Sequence, residues 1–397
     1  MKHVVVIIDG AAGLPLPERG GRTSLEAAAT PNLDALAGSG RLGLARTVPP
    51  GMEPGSACAC MSVLGYDPTV YYRGRSPIEA HSMGVPVNEG EVTFRCNLVT
   101  VANGKMADYS AGHIVTDEAR ELIIALDKEL GGDGVSFYPG VSYRHLCKLR
   151  GHEETLQAVC TPPHDIPGQP VAEYLPRGVG SDFLKDLMHR SEAVLAVQPV
   201  NERRRARDEA PATTIWLFWG SGRVPEMPPF RERYGLRAAL TSGVDLLRGL
   251  GGMMGMDILE IAGVSDGPDN DYAAQAAGAI DALADHDLVV IHIEAPDEAA
   301  HAGSIDGKIN AIERIDREVI GRLRDFRENG LRLLVMPDHP TPLASRTHTL
   351  EPVPFLLWGT GFAANGAASY SEAAAGATGL FIDPGYSIMS QLMEVTD

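Results

Sequence analysis

Four short runs dominate the hydrophobic pattern of the chain: His3–Ile8, Asp287–Ile293, Leu331–Met336 and Val353–Trp358. Each is nearly continuous in apolar side chains and too short for an ordinary helix, which predicts buried strands. Asp9-Gly10 breaks the first run. Between the second and third, Ile309, Ile312, Ile315, Val319, Ile320 and Leu323 recur at helical spacing within Asp306–Leu323. An alanine-rich helical stretch, Ala273–Ala284, precedes the second run. Strands alternating with helices predict an α/β domain built on a mainly parallel sheet.

The middle of the chain reads differently. From about Val85 to Gly168 the apolar runs are shorter: Val92–Val101, Val135–Tyr138, His145–Leu149 and Leu156–Val159, interrupted by one helical stretch, Thr116–Leu130. Strands without a helix between each pair predict an α+β unit. The chain is therefore expected to hold a discontinuous core, residues 1–85 and 170–397, with a smaller domain, 86–169, inserted into it. The polar, basic stretch Val200–Ala212 reads as a solvated connector. Ala363–Ala377 is the one low-complexity tract.

Composition narrows the function classes. With 34 Lys and Arg against 52 Asp and Glu, the net charge is −18. Such a balance argues against a nucleic-acid partner, which requires cationic surface to displace counterions from phosphates, and against adhesion to an anionic membrane. No apolar run approaches the roughly 20 residues that span a bilayer. The stretch Val4–Ile8 is too short for the core of a signal peptide. The five cysteines are odd in number and lack metal-type spacing apart from Cys58-x-Cys60, so a reducing, cytoplasmic setting without disulfides is expected. No sequence feature marks an oligomer interface.

Candidate chemistry gathers at strand ends. Asp9 closes the first run, Asp297 follows the second with His301 four positions on, Asp338-His339 follows the third, and His348 lies just before the fourth. Parallel sheets bring ligands to the carboxyl edges of their strands, and Asp297 and His301 would share a helix face. Each residue alone is more simply a cap or turn former. Together, three aspartates and three histidines make two mixed oxygen and nitrogen ligand sets, suited to Zn²⁺ or Mn²⁺. Ser56, flanked by small residues in Pro54-Gly55-Ser56-Ala57, is a nucleophile that a metal could activate. Arg73, Arg75, Arg95, His113, Arg144, His145 and His164 are the candidates for holding an anionic substrate.

Taken in order and spacing, these residues resemble the archaeal-type cofactor-independent phosphoglycerate mutases of the alkaline phosphatase superfamily. The resemblance runs nearly end to end. It is carried by Asp9-Gly10, Thr30-Pro31-Asn32-Leu33-Asp34, Pro54-Gly55-Ser56, Leu64-Gly65-Tyr66-Asp67-Pro68, Arg73-Gly74-Arg75 and Phe94-Arg95-Cys96-Asn97. It continues in Asp297-Glu298-Ala299-x-His301, Asp338-His339-Pro340-Thr341-Pro342 and His348-x-x-x-Pro352-Val353-Pro354. It implies an alkaline phosphatase-like core with a substrate-covering insertion, and two divalent ions (Mn²⁺ or Zn²⁺, with Mg²⁺ an option) but no 2,3-bisphosphoglycerate. By position, Ser56 would accept the phosphoryl group. Asp9, Ser56, Asp338 and His339 would hold one ion, and Asp297, His301 and His348 the other. The substrate would be 3-phosphoglycerate or a related small phosphorylated hydroxy acid.

The chain also departs from that family. Ala57 and Cys60 stand where an acidic residue and a histidine are usual, Asp108-Tyr109-Ser110-Ala111-Gly112-His113 replaces an arginine-rich element, and Gln275 stands near the place of a lysine. These changes spare the metal residues and touch the substrate side. Ser110-Ala111-Gly112-His113, Tyr143-Arg144-His145 and Cys160-Thr161-Pro162-Pro163-His164-Asp165 look more like a bacterial branch proposed to act as homoserine kinase. A homoserine kinase-like phosphotransferase is thus the alternative, though no P-loop is present. A phosphatase, a specialised phosphomutase and a non-catalytic binding protein are further readings.

Overall fold

In the computed structural model, which describes residues 1–326 and 330–393, the chain forms two units. One comprises Met1–Tyr72 and Pro225–Asp397, the other Arg73–Val224.

The first unit is built on an eight-stranded sheet. The strand Lys2–Ile8 lies inside it, parallel to Leu288–Ile293 on one side and to Leu331–Met336 on the other. Ala238–Thr241 and then Asp257–Ile258 extend the sheet in parallel beyond Leu288–Ile293. Val353–Gly359 and Arg41–Ala45 extend the other side antiparallel, and Phe381–Ile382 closes that edge. The mainly parallel α/β architecture stands as expected. Its central strands are buried along almost their whole length and mostly apolar, as expected of parallel strands covered on both faces. Val4, Val6 and Ile8 pack with Ile312, Ile315, Val319 and Leu323. Asp306–Leu323, expected as one helix, is Ile305–Ile315 followed by a π-helical turn, Asp316–Ile320, and a last turn, Gly321–Asp325. No helix among the described residues is long and apolar enough to cross a membrane.

The second unit is an antiparallel sheet centred on Glu91–Ala102, which pairs with Lys105–Asp108, Arg144–Arg150 and Thr214–Gly222, while Val135–Tyr138 pairs with Arg144–Arg150. The helices Thr116–Leu130 and Ser181–Ala196 pack on it, their apolar stripes joining one core. The unit is longer at both ends than the expected 86–169. Ser181–Ala196 and Thr214–Gly222 bury Leu184, Leu187, Leu217 and Phe218 in its core, and Ser76 bonds to the Thr93 carbonyl of its central strand. Two local expectations are corrected. Leu156–Val159 forms no strand, since Glu153–Gln157 is a 3₁₀ turn. Val200–Ala212 is no free connector, since Pro199–Ala206 is a helix whose Arg204 is buried against Glu118 and the Ala111 carbonyl.

Candidate active site

Parallel register explains how distant residues meet. Ile8 lies opposite Ile293, and Ile7 lies opposite both His292 and Met336. Side chains alternate along a strand. Asp9, Glu294 and Asp338, each the next residue of like parity, therefore leave the sheet edge on one face, with His292 a step behind. Gly10 turns the chain away at φ +61°, a conformation costly for L side chains. A Cβ there would also lie 2.7 Å from Asp297 Cβ and 2.7 Å from Thr341 Oγ1. Only glycine lets Asp297 approach this closely.

The structure brings all seven expected metal and nucleophile residues into one neighbourhood of the first unit. Asp9, Asp338 and His339 have ligand atoms within 4.8 Å of one another, as do Asp297, His339 and His348. His339 thus stands between the two sets. Its Nε2 lies 3.6 Å from Asp9 Oδ1 and 3.3 Å from Asp338 Oδ2, and its ring stacks near His348 with centroids 4.0 Å apart. The helix Ala295–His301 places Asp297 Oδ2 3.0 Å from His301 Nε2, which in turn lies 3.0 Å from His348 Nε2. Thr341 Oγ1 donates to Asp297 and sits 3.2 Å from His339 Nδ1, tying the two sets together. Ser56 opens the helix Ser56–Val63, and its Oγ lies 3.3 Å from His339 Nε2.

The electrostatics are those of a cation site. Burial, then the Asp338 and Asp297 charges, push the Asp9 carboxyl well above the usual range. Burial and Asp9 do the same to Glu294. Asp297 behaves oppositely. Burial pushes it up, but hydrogen bonds from His301 and His348 and the charge of His339 outweigh this and hold it well below. The Asp297 contact raises His301 to about 9. Asp9 Oδ1 and Glu294 Oε2 are buried without a hydrogen-bond partner. Orphaned carboxylate oxygens beside converging imidazoles are costly to bury without a cation or a proton to join them, and the donor set fits the divalent ions that the sequence implies.

Several contributors were not found from sequence. Glu294 follows a strand that was recognised, and its position after Ile293 was the available signal. His292 looks like a strand residue but bonds to Asp9 Oδ2 at 2.8 Å. Lys308, wholly buried, holds the Ala12 and Thr341 carbonyls from behind. Gln275, which the sequence set near the place of a lysine, is buried, donating to the His292 carbonyl and receiving from Asn270, so it packs the sheet edge here.

Most of the expected substrate residues cluster in the second unit. Arg75 and Arg95 flank the Trp219 ring, 5.0 and 5.8 Å from its centroid, and Glu79 pairs with both. His164 lies 5.5 Å from Trp219 and 6.2 Å from Tyr109, while His113 and Arg144 approach Tyr143. Arg73 stands at the start of this unit, its carbonyl accepting from Ser221. His145 is the correction. It lies opposite Cys96, on the face that carries Cys147, with Arg120 of the Thr116–Leu130 helix nearby. It is 2% exposed, and its Nδ1 accepts the Gly140 N–H. Strand alternation has turned it into the core, away from Arg95.

Comparisons with known proteins show the family. The family model described as 2,3-bisphosphoglycerate-independent phosphoglycerate mutase matches residues 37–201. The mutase of that name from Methanosarcina barkeri is 48% identical over 91% of both chains. That from Methanothrix thermoacetophila is 46% identical over 99% of this chain and all of its own. Among solved structures, the cofactor-independent phosphoglycerate mutase from Thermoplasma acidophilum superposes with a TM-score of 0.66 at 26% identity, covering 99% of each chain.

Proposed function

Because the chain belongs to the 2,3-bisphosphoglycerate-independent phosphoglycerate mutase family, we propose that it interconverts 3-phosphoglycerate and 2-phosphoglycerate through a phosphoserine on Ser56. The observation that carries this reading is the position of the Ser56 hydroxyl, at a helix start and 3.3 Å from His339 within the two converging ligand sets. Asp9, Ser56, Asp338 and His339 would hold one divalent ion, and Asp297, His301 and His348 the other. Bound there, such ions lower the pKa of a coordinated hydroxyl and neutralise phosphoryl oxygens.

The chain's own groups do the rest. Ser56 Oγ forms a bond to phosphorus as the bond to the C3 oxygen breaks, and the serine proton ends on the released oxygen. The glycerate then presents its C2 hydroxyl, which takes the phosphoryl group back and returns a proton to Ser56. Backbone N–H groups at the start of Ser56–Val63 favour the added negative charge. Within the second unit, Arg75 and Arg95, 5.0 and 5.8 Å from the Trp219 ring centroid, are cations of the kind suited to a carboxylate or phosphate. The ligand is a small phosphorylated hydroxy acid.

Phosphorus NMR of metal-loaded protein with 3-phosphoglycerate and no nucleotide tests this reading. Appearance of 2-phosphoglycerate is expected. Absence of isomerisation in protein shown to hold its ions, with phosphorylation of homoserine once a donor is added, would replace the mutase with a phosphotransferase.

A further inference from the structure

Lys308 is a charged group that the reaction does not use. It lies on the helix Ile305–Ile315 with no exposed surface. Burying an ammonium is costly unless its donors are met, and packing alone would favour an apolar side chain there. Its Nζ donates to the Ala12 carbonyl at 3.0 Å and to the Thr341 carbonyl at 2.8 Å. These carbonyls belong to two different loops. Ala12 follows Asp9 beyond the strand Lys2–Ile8, and Thr341 follows Asp338 and His339 beyond Leu331–Met336. The Thr341 N–H donates to the same Ala12 oxygen at 3.0 Å, and Ala11 and Ala12 both bridge to Pro340. The other end of the Ala12–Gly13 peptide is held too. The Gly13 N–H donates to Glu372 Oε1 at 3.0 Å, while Glu372 Oε2 accepts from the Thr23 hydroxyl at 2.7 Å. One peptide group is thus gripped at its oxygen by an ammonium and at its nitrogen by a carboxyl group.

This grip leads to the site through Thr341. The Thr341 hydroxyl donates to Asp297 and lies 3.2 Å from His339 Nδ1, so it stands between the two ligand sets. Its main chain is fixed on both sides, the N–H by Ala12 and the carbonyl by Lys308. The helix that carries Lys308 also follows closely on Ala295–His301, which carries Asp297 and His301. Lys308 therefore joins the three segments that supply Asp9, Asp338, His339, Asp297 and His301.

We propose that Lys308, with Glu372, is a positioning residue of the metal centre. It locks loops 9–13 and 338–342 in register before any ion arrives, and so sets the place of Thr341 between Asp297 and His339. The proposal rests on the two ligand sets and not on which phosphoryl transfer they serve.

Cobalt titration of the metal-free full chain tests it. Lys308→Met keeps the length of the side chain and removes its donors. It is expected to weaken cobalt binding about tenfold and to change the visible d–d absorption of the bound ion, because the ligand angles change. Glu372→Ala is expected to move both in the same direction by less. A Lys308→Met chain that melts earlier but keeps the wild-type affinity and spectrum would overturn the proposal, since Lys308 would then serve stability alone. A wild type that binds no cobalt would overturn the ligand sets themselves, and the proposal with them. Should Lys308→Met fail to fold, hydrogen exchange of the metal-free wild type decides. The Gly13 and Thr341 amides are expected to be protected about a hundredfold or more over an unstructured chain. Exchange at the unprotected rate would mean that the grip does not exist before the ion, and would overturn the proposal.

Discussion

Asp297 and His301 meet across one helical turn, with His301 Nε2 3.0 Å from Asp297 Oδ2. The contact does more than pair two charges. It aligns the carboxylate with His348, 3.6 Å from the other oxygen, so three donors from one helix and one loop face one point. Removing the imidazole should leave the carboxylate but loosen the set. His301→Ala is expected to weaken binding at this position about tenfold or more and to lower bound metal after dialysis. Metal analysis and calorimetric titration check this; unchanged stoichiometry and affinity would remove His301 from the ligand set.

Ser56 is partly exposed at the start of its helix, and its side chain fills no part of the core. Ser56→Ala is expected to abolish isomerisation, by about a thousandfold or more, while stability changes by less than about 1 kcal/mol. Wild-type protein incubated with substrate should carry a phosphoryl group at this serine by mass spectrometry, and the variant none. Turnover retained in the variant would contradict the nucleophile assignment.

Gly10 connects the central strand to the site at φ +61°. Gly10→Ala combines a strained backbone, about 1–3 kcal/mol, with a methyl group pressed against Asp297 and Thr341. Both effects act on the same carboxylate. The variant is expected to melt at a lower temperature and to lose metal affinity together, measured by thermal unfolding with and without added Mn²⁺. If metal binding is unaffected while stability falls, the close approach of Gly10 to Asp297 has no functional consequence.

His145 supplies the pH dependence. Burial, then the charges of Arg95, Arg120 and Arg144, lower it to about 3 from the ordinary 6.5. Unfolded chain therefore takes up a proton below pH 6.5 that the folded unit refuses. The stabilisation is complete above pH 6.5 and is lost as pH falls toward 3, with a slope of up to about 1.4 kcal/mol per pH unit. His145→Asn retains an acceptor for the Gly140 N–H but cannot titrate. Urea unfolding at pH 7, 5.5 and 4.5 should show the wild type losing more stability than the variant on acidification. Parallel losses would mean that His145 is protonated in the folded unit.

Much of this site was legible in one dimension because it rests on local rules. An aspartate one or two residues after a buried apolar run lies at a sheet edge wherever that run is a parallel strand, which placed Asp9 and Asp338. The four-residue spacing of Asp297 and His301 needs only a helix. Glu294 and His292 were missed because their part depends on which strand lies beside Lys2–Ile8 and in what register. His145 was misassigned because the face of a strand residue depends on parity and on which side the helices cover. The unit boundary was placed short because Ser181–Ala196 and Thr214–Gly222 resemble core elements until their packing partners are known.

By itself the sequence determined the elements, the mainly parallel α/β sheet, the family resemblance, and the aspartate, histidine and serine set at strand and helix ends. These follow from hydrophobic periodicity and from chemistry carried by short segments. Tertiary structure alone decided that His339 would stand between two ligand sets, that His292 would meet Asp9 while Lys308 joined two loops, and that His145 would turn inward while Arg75 and Arg95 closed on Trp219. Those outcomes depend on register and on contacts between residues up to hundreds of positions apart, where a shift of one residue reverses the face that a side chain presents.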